Sequence, residues 1–137
     1  MIHFLKRLIP PAILLPYHYA LARIAEFVYG HPSNKLVVIG VTGTTGKRST
    51  VPMCDMLLRA LGHKSGYTST AGFVVNRREI VNTLKMTMPG RFMLQRLLRE
   101  MVKEGCTYAI VETSSQGIAQ FRHLGVNYDV AVFTNLT

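Results

Sequence analysis

The run Gly40-Val41-Thr42-Gly43-Thr44-Thr45-Gly46-Lys47-Arg48-Ser49-Thr50 brings glycines, hydroxyls and a lysine together. Glycines let a backbone turn its N–H groups inward around phosphate oxygens, and a helix starting there adds partial positive charge from its N-terminus. Lys47 then reaches the outer phosphates as a point charge. The long phosphate-loop pattern asks for glycine where Val41 stands, and for Ser or Thr where Arg48 follows the lysine. Ser49 is the next hydroxyl available for a magnesium shell. An ordinary glycine-rich turn is the other reading, but a Gly-Lys pair between an apolar strand and a helix favours phosphate.

A second constellation is Glu112-Thr113-Ser114-Ser115-Gln116, following the apolar run Tyr108 to Val111. A carboxylate at the carboxyl end of a strand, in a parallel sheet that also carries a phosphate loop, is where a divalent cation is held. The alternative is a glutamate that favours the start of a short helix. Thr87-Met88-Pro89 precedes a long helical pattern, and with Gly90 it also reads as a plain helix start. Gln120 and Arg122 follow Glu112 at short distance; the arginine fork suits a carboxylate or phosphate, and by itself would be a solvated charge.

The elements that must position these residues alternate between strand and helix. Lys35 to Val41 contains the β-branched run of a buried parallel strand. The next helix has Met53, Met56, Leu57, Ala60 and Leu61 as its apolar set and ends at Gly62. Lys64 to Thr70 is a weaker strand, and Phe73 to Val81 is expected to form a hairpin turning at Asn76-Arg77. Gly90 to Glu104 carries a helical apolar face of Met93, Leu94, Leu97, Leu98, Met101 and Val102, stopped by Gly105. Strand Tyr108 to Val111, a short helix Ser115 to His123 and strand Val130 to Phe133 complete the pattern. The fold class is α/β, a mostly parallel sheet flanked by helices. The last strand runs into the chain end without a closing helix, so the expectation is an incomplete domain within a longer protein.

Residues 1–34 are expected to form an N-terminal helical segment and linker, and 35–137 a nucleotide-binding domain. Pro16 to Tyr29 reads as a helix, with Pro32-Ser33-Asn34 as the linker. Lys6-Arg7 and the charge-free stretch Leu8 to Ala22 superficially resemble a signal peptide, but that stretch is short and broken by Pro10, Pro11 and Pro16. Docking on the protein is favoured over resting on a membrane surface.

The chain of 137 residues, 48% apolar, has material for a single modest core. Sixteen Lys and Arg against seven Asp and Glu leave a charge of +9, which suits anionic partners. Nucleic acid is not expected, because no aromatic-basic motif accompanies the charge. Cys54 and Cys106 follow no metal-ligand spacing, so a reduced, cytoplasmic protein is expected.

Gly43-Thr44-Thr45-Gly46-Lys47 resembles the short phosphate loop, G-T-x-G-K, of the Mur ligase superfamily. Thr87-Met88-Pro89 resembles the Thr-Thr-Pro segment of its tripeptide-forming members, and Glu112-Thr113-Ser114-Ser115-Gln116 the E-x-S-S-H segment, with glutamine in place of histidine. Asp129 to Thr137 reads like the strand that precedes the D-H-L-D segment. The resemblance runs from about Leu36 to the chain end and is greatest to the UDP-N-acetylmuramoyl-tripeptide synthetases.

The resemblance implies a P-loop NTPase-like central domain that uses ATP and Mg2+ to form an amide bond in peptidoglycan precursor synthesis. ATP would convert a substrate carboxylate to an acyl phosphate, and an amino group would displace the phosphate. Gly43, Thr44, Thr45, Gly46, Lys47, Arg48, Ser49 and Thr50 would hold the nucleotide. Lys47 and Glu112 would be catalytic, with Ser49 and Glu112 on the metal. Thr87, Met88, Pro89, Ser114, Gln120 and Arg122 would meet a nucleotide-sugar peptide, to which an amino acid is added. The 137 residues alone are expected to be inactive as a ligase. A folylpolyglutamate synthetase-like ligase and a non-catalytic nucleotide-binding or interaction module remain alternatives, the latter encouraged by Arg48, Pro52 and Gln116.

Overall fold

The computed structural model describes residues 10–136. A helix α1 (Pro11–Val28) leads through a short 3-10 turn (Pro32–Lys35) into strand β1 (Val37–Thr42). There follow α2 (Lys47–Ala60), β2 (Ser65–Thr68), the hairpin β3 (Phe73–Val75) and β4 (Arg78–Ile80), α3 (Arg91–Lys103), β5 (Tyr108–Glu112), α4 (Ser115–Ala119) and β6 (Val130–Phe133). The six strands form one sheet in the order β4-β3-β2-β5-β1-β6. Its β2-β5, β5-β1 and β1-β6 ladders are parallel, and the hairpin adds two antiparallel pairings at one edge.

Side chains alternate across a strand, so β1 and β5 supply both faces of the sheet. Val38, Ala109 and Val111 join Phe73 and Val75 beneath Leu94, Leu97, Leu98 and Met101 of α3. On the opposite face Val41 and Ile110 meet Val51 of α2, with Ile39, Cys54, Leu58, Tyr67 and Val132 packed around them. The mixed α/β layering and the helical face of α3 agree with the periodicity. So does the hairpin turn: Asn76 and Arg77 have φ of 44° and 74°, the pair of left-handed residues that a tight two-residue connection needs.

The rotation of α2 differs from its expected apolar face. Met53, Met56, Leu57 and Leu61 are each at least 60% exposed, whereas Val51 and Asp55 are buried. Asp55 sits in the helix-sheet seam because it is fully partnered there: Ser65 Oγ donates to it at 2.5 Å and Arg59 Nε at 2.8 Å. A paired carboxylate thus occupies a place that a pattern of apolar residues assigns elsewhere. Pro52 lies inside the helix, so the Arg48 carbonyl one turn earlier lacks its amide donor.

The first helix starts earlier than expected, at Pro11, a residue suited to a first helical position, and takes Pro16 into its interior. Its buried residues are Ala22, Ala25 and Glu26. Glu26 is held by Arg23 Nη1 and His31 Nδ1, each at 2.8 Å. The expected linker is fastened: Ser33 is 2% exposed, and its Oγ accepts from Asn127 N at 3.1 Å. Among the described residues no helix is long and apolar enough to cross a membrane. Lys6 and Arg7 lie outside the described residues.

Candidate functional site

Three chain segments converge at the carboxyl ends of β1, β5 and β6. Thr113 N donates to Val41 O at 2.8 Å and Thr134 N to Thr42 O at 2.9 Å, so the chain after each flanking strand stays against the start of the Gly43 loop. In open α/β sheets this is the end at which ligands bind. An open cleft of about 400 Å3 lies here, lined by Thr42, Gly43, Thr44, Lys47, Ser114, Ser115, Phe133 and Leu136.

The loop is shaped by its glycines and by a neighbour that the sequence reading left out. Gly43 has φ +138°, and a Cβ placed on it would meet Thr134 Oγ1 at 2.1 Å. Gly46 has φ +85° and caps α2 without a side-chain hydrogen bond, leaving the helix's opening turn with no capping acceptor. Asn135 clasps the loop from β6. Its carbonyl accepts from Thr44 N and its Oδ1 from Thr45 N, both at 3.0 Å, while its Nδ2 donates to Thr45 Oγ1 at 2.8 Å. Thr134 Oγ1 donates to Thr45 O at 2.6 Å. Lys47 Nζ is folded onto its own loop, donating to Gly43 O at 2.6 Å and Thr44 O at 3.4 Å.

Glu112 is 2% exposed and pairs in register with Val41, the residue before the last of β1. Its carboxylate accepts from Thr70 N at 2.8 Å and lies 3.3 Å from Thr70 Oγ1. Thr70 Oγ1 also reaches Thr87 Oγ1 at 3.1 Å, which brings the Thr87 segment to the carboxylate through one intermediary. Thr70 itself is absent from the sequence reading; the signal for it is its place just past β2, beside the end of β5.

Among the described residues Glu112 makes no ion pair within salt-bridge distance. A buried carboxylate held by two neutral donors and by no cationic side chain fits a cation as its complement. Among the described residues no three His, Cys, Asp or Glu cluster to hold a metal alone. Magnesium is commonly bound by one carboxylate with substrate phosphates, so this donor set fits it.

The other expected site residues are distributed between the cleft, the helix surfaces and the core. Arg48 and Ser49 are exposed in the first turn of α2. At 100° per residue Ser49 lies on the side of α2 away from that on which Val51 and Asp55 face the sheet. Thr50 Oγ1 bonds back to Gly46 O at 2.8 Å. Met88 and Pro89 are buried, and Met88 belongs to the α3 core, where Gly117 makes room for it: a Cβ there would lie 2.5 Å from the Met88 sulfur. Packing is therefore what the Met88 side chain does, while its carbonyl accepts from Arg122 Nη1 at 2.6 Å. Ser114 lines the cleft and caps α4 through Gly117 N at 3.0 Å. Gln116 is exposed on that helix. Gln120 and Arg122 lie beyond it, where the Gln120 carbonyl accepts from Arg91.

Known proteins are similar to this chain in sequence and in fold. The family model of the Mur ligase middle domain matches residues 41–137. The chain is 40% identical over 118 residues to a UDP-N-acetylmuramoyl-L-alanyl-D-glutamate--2,6-diaminopimelate ligase of Bacillus cereus, covering 86% of this chain and 24% of that protein. It is 38% identical over 130 residues to a UDP-N-acetylmuramyl-tripeptide synthetase of Roseiflexus, covering 93% and 26%. A solved structure of a UDP-N-acetylmuramoyl-L-alanyl-D-glutamate--2,6-diaminopimelate ligase superposes with a TM-score of 0.69 at 28% identity, over 84% of this chain and 24% of that one. The chain thus spans about a quarter of the length of these relatives. With the middle-domain model matched over residues 41–137, most of its length, the chain belongs to the Mur ligase family.

Proposed function

We propose that this chain is the nucleotide-binding part of an ATP-dependent, P-loop NTPase-like ligase that adds an amino acid to a UDP-N-acetylmuramoyl peptide. One observation carries the reading. The Gly43 to Lys47 loop opens a helix directly after a buried strand, and the buried, cation-free Glu112 lies one strand away in register with Val41. The names of the relatives supply the substrate class.

In this reading the open amides at the start of α2 receive phosphate oxygens. Lys47, whose present acceptors are two carbonyls of its own loop, turns outward to the outer phosphates. A magnesium ion on Glu112 and the phosphates would supply charge neutralisation as a substrate carboxylate becomes an acyl phosphate. Asn135 and Thr134 hold the loop's shape, and the chain's share of catalysis is positioning. The incoming amino group then displaces phosphate and forms the amide. With a quarter of the length of its relatives, the chain by itself binds nucleotide and lacks ligase turnover.

Calorimetric titration of ATP with and without magnesium, on wild type and Lys47→Ala, tests this. Saturable binding that the variant loses supports it, and equal isotherms overturn it. A binding module without catalysis is the second reading, favoured by one feature: Ser49 lies on the side of α2 away from the sheet, and Arg48 stands where the longer phosphate-loop pattern has a hydroxyl.

A further inference from the structure

Helix α1 packs along α3, and the residues it buries are Ala22, Ala25 and Glu26. At 100° per residue Ile13, Tyr17, Ala20, Ile24 and Phe27 fall in one stripe about 80° wide on the opposite side. Ile13, Tyr17, Ile24 and Phe27 are each more than half exposed, and Ala20 is exposed with them. A surface helix ordinarily turns charged and polar residues outward. This one is apolar on its outer side, and no charged residue interrupts the stripe.

Beside the stripe the charge is of one sign. Val28, about 60° round the helix from Ile13, carries the stripe to an open cavity of about 320 Å3 that it lines together with Val102, Lys35, Arg99 and Lys103. Those three cations are exposed, and among the described residues none of them forms an ion pair. No acidic residue lines the cavity. The helix's one carboxylate, Glu26, is buried and already held by Arg23 and His31, so it offsets nothing outside. Lys6 and Arg7 add two further positive charges shortly before the helix in sequence.

An uncharged apolar stripe next to three unpaired cations is complementary to a surface that offers hydrocarbon beneath negative headgroups. We infer that α1 rests lengthwise on an anionic lipid surface, with Ile13, Tyr17, Ile24 and Phe27 in the headgroup boundary and Lys35, Arg99 and Lys103 against the headgroups. Tyr17 and Phe27 are side chains of the kind that lodge at such a boundary. The helix lies on the surface and does not span it, since among the described residues no helix is long and apolar enough to cross a membrane. A second copy fits the stripe less well. One helix face about 21 Å long offers on the order of 200–300 Å2, against about 800 Å2 per partner in a stable dimer, and it would set +9 against +9. Docking on α3 uses the other face of α1, so the two contacts coexist. None of these residues lines the cleft beside Gly43, so the inference stands apart from the nucleotide reading.

The chain contains no tryptophan, so Phe27→Trp places a single fluorescent reporter on the stripe, and Leu57→Trp, on the exposed side of α2, serves as control. Emission is followed while vesicles of phosphatidylglycerol and phosphatidylcholine in equal parts, or of phosphatidylcholine alone, are added to the full chain. Phe27→Trp should shift to the blue and saturate with the mixed vesicles, stay unchanged with phosphatidylcholine alone, and lose the shift in about 0.5 M salt, where surface charge is screened. Leu57→Trp should not respond. Sedimentation with the mixed vesicles should weaken by about 10-fold or more in Phe27→Glu and in the double variant Arg99→Gln with Lys103→Gln. Phe27→Ser serves if Phe27→Glu fails to fold. No blue shift, an equal shift in Leu57→Trp, an equal response to phosphatidylcholine alone, or unchanged sedimentation of the Phe27 variants overturns the proposal. A blue shift that grows with protein concentration in the absence of vesicles gives the stripe to a second copy and overturns it as well.

Discussion

Glu112 stands opposite Val41 in the parallel β1-β5 ladder, so the buried carboxylate is tied by backbone register to the strand that launches the glycine loop. Thr70 completes the arrangement from β2, and Thr87 is joined to it through the Thr70 hydroxyl. Replacing Glu112 by Gln keeps an oxygen that can accept from Thr70 and removes the charge. Thermal stability is expected to stay within about 1 kcal/mol of wild type, the scale of one exchanged hydrogen bond. Magnesium should no longer strengthen nucleotide binding. Calorimetry with and without the ion checks this, and an unchanged magnesium effect would remove Glu112 from the metal site.

The loop's shape makes Gly43 and Gly30 an informative pair. Both have positive φ, but a Cβ at Gly43 would meet Thr134 Oγ1 at 2.1 Å, while at Gly30 nothing lies within 4 Å. Gly30→Ala should carry only backbone strain, about 1 kcal/mol. Gly43→Ala adds a steric conflict and is expected to cost about 2–4 kcal/mol and to abolish nucleotide binding. Denaturant titration measures the first effect and calorimetry the second; a Gly43→Ala protein as stable as Gly30→Ala contradicts the packing described.

Asn135 is expected to act through the loop rather than on the nucleotide. Its side chain makes two hydrogen bonds to Thr45, so Asn135→Ala should destabilise by about 1–2 kcal/mol. Affinity for ATP should fall while magnesium dependence remains. Asn135→Asp, which keeps the acceptor for Thr45 N, should retain more of that affinity than alanine. Equal losses in the two variants would argue against the clasp.

The two faces of α2 provide a test of helix rotation. Val51 is buried, whereas Met56 and Leu57 are 68% and 65% exposed. Val51→Ala should cost about 1.5–3 kcal/mol from lost burial and the cavity left behind. Leu57→Ser should stay within about 0.5 kcal/mol, as for an exposed substitution without partners. Reversed costs in urea melts would mean that the helix presents its other side to the sheet.

How much of this was legible in the sequence depends on the kind of signal. Val37 to Val41 is a continuous apolar run and Leu94 to Met101 a one-sided helical pattern, and they become β1 and α3 much as those patterns require. Asn76-Arg77 was legible as a turn because the residues on both sides are extended. On α2 the pattern misleads, for methionines and leucines form a stripe that burial does not follow, while the seam is decided by the Asp55, Arg59 and Ser65 hydrogen bonds. Asp55 and Arg59 are an i,i+4 pair that would look the same on a solvated helix face, and only the folded seam adds Ser65 to it. The same holds at the site: Gly43 to Lys47 is a local motif, but Thr70 and Asn135 enter through contacts that only the folded sheet creates.

Tyr128 lies over Gly40, where a Cβ would meet its ring at 2.7 Å, and its hydroxyl is 3.1 Å from Thr113 Oγ1. Burial raises its pKa, against a smaller lowering by the Thr113 hydrogen bond. A phenol that is harder to ionise in the folded state stabilises the protein fully below the unfolded value of about 10 and loses that contribution as pH rises beyond it. Tyr128→Phe removes one hydrogen bond and should cost about 0.5–1.5 kcal/mol at pH 7. Phenylalanine cannot ionise, so the gap between the variant and wild type should narrow above pH 10. Tyr67, also raised by burial first, is present in both proteins and cancels from the difference. Urea midpoints from pH 7 to 11 measure the gap, and one that stays constant across that range would show that Tyr128 does not ionise more readily on unfolding.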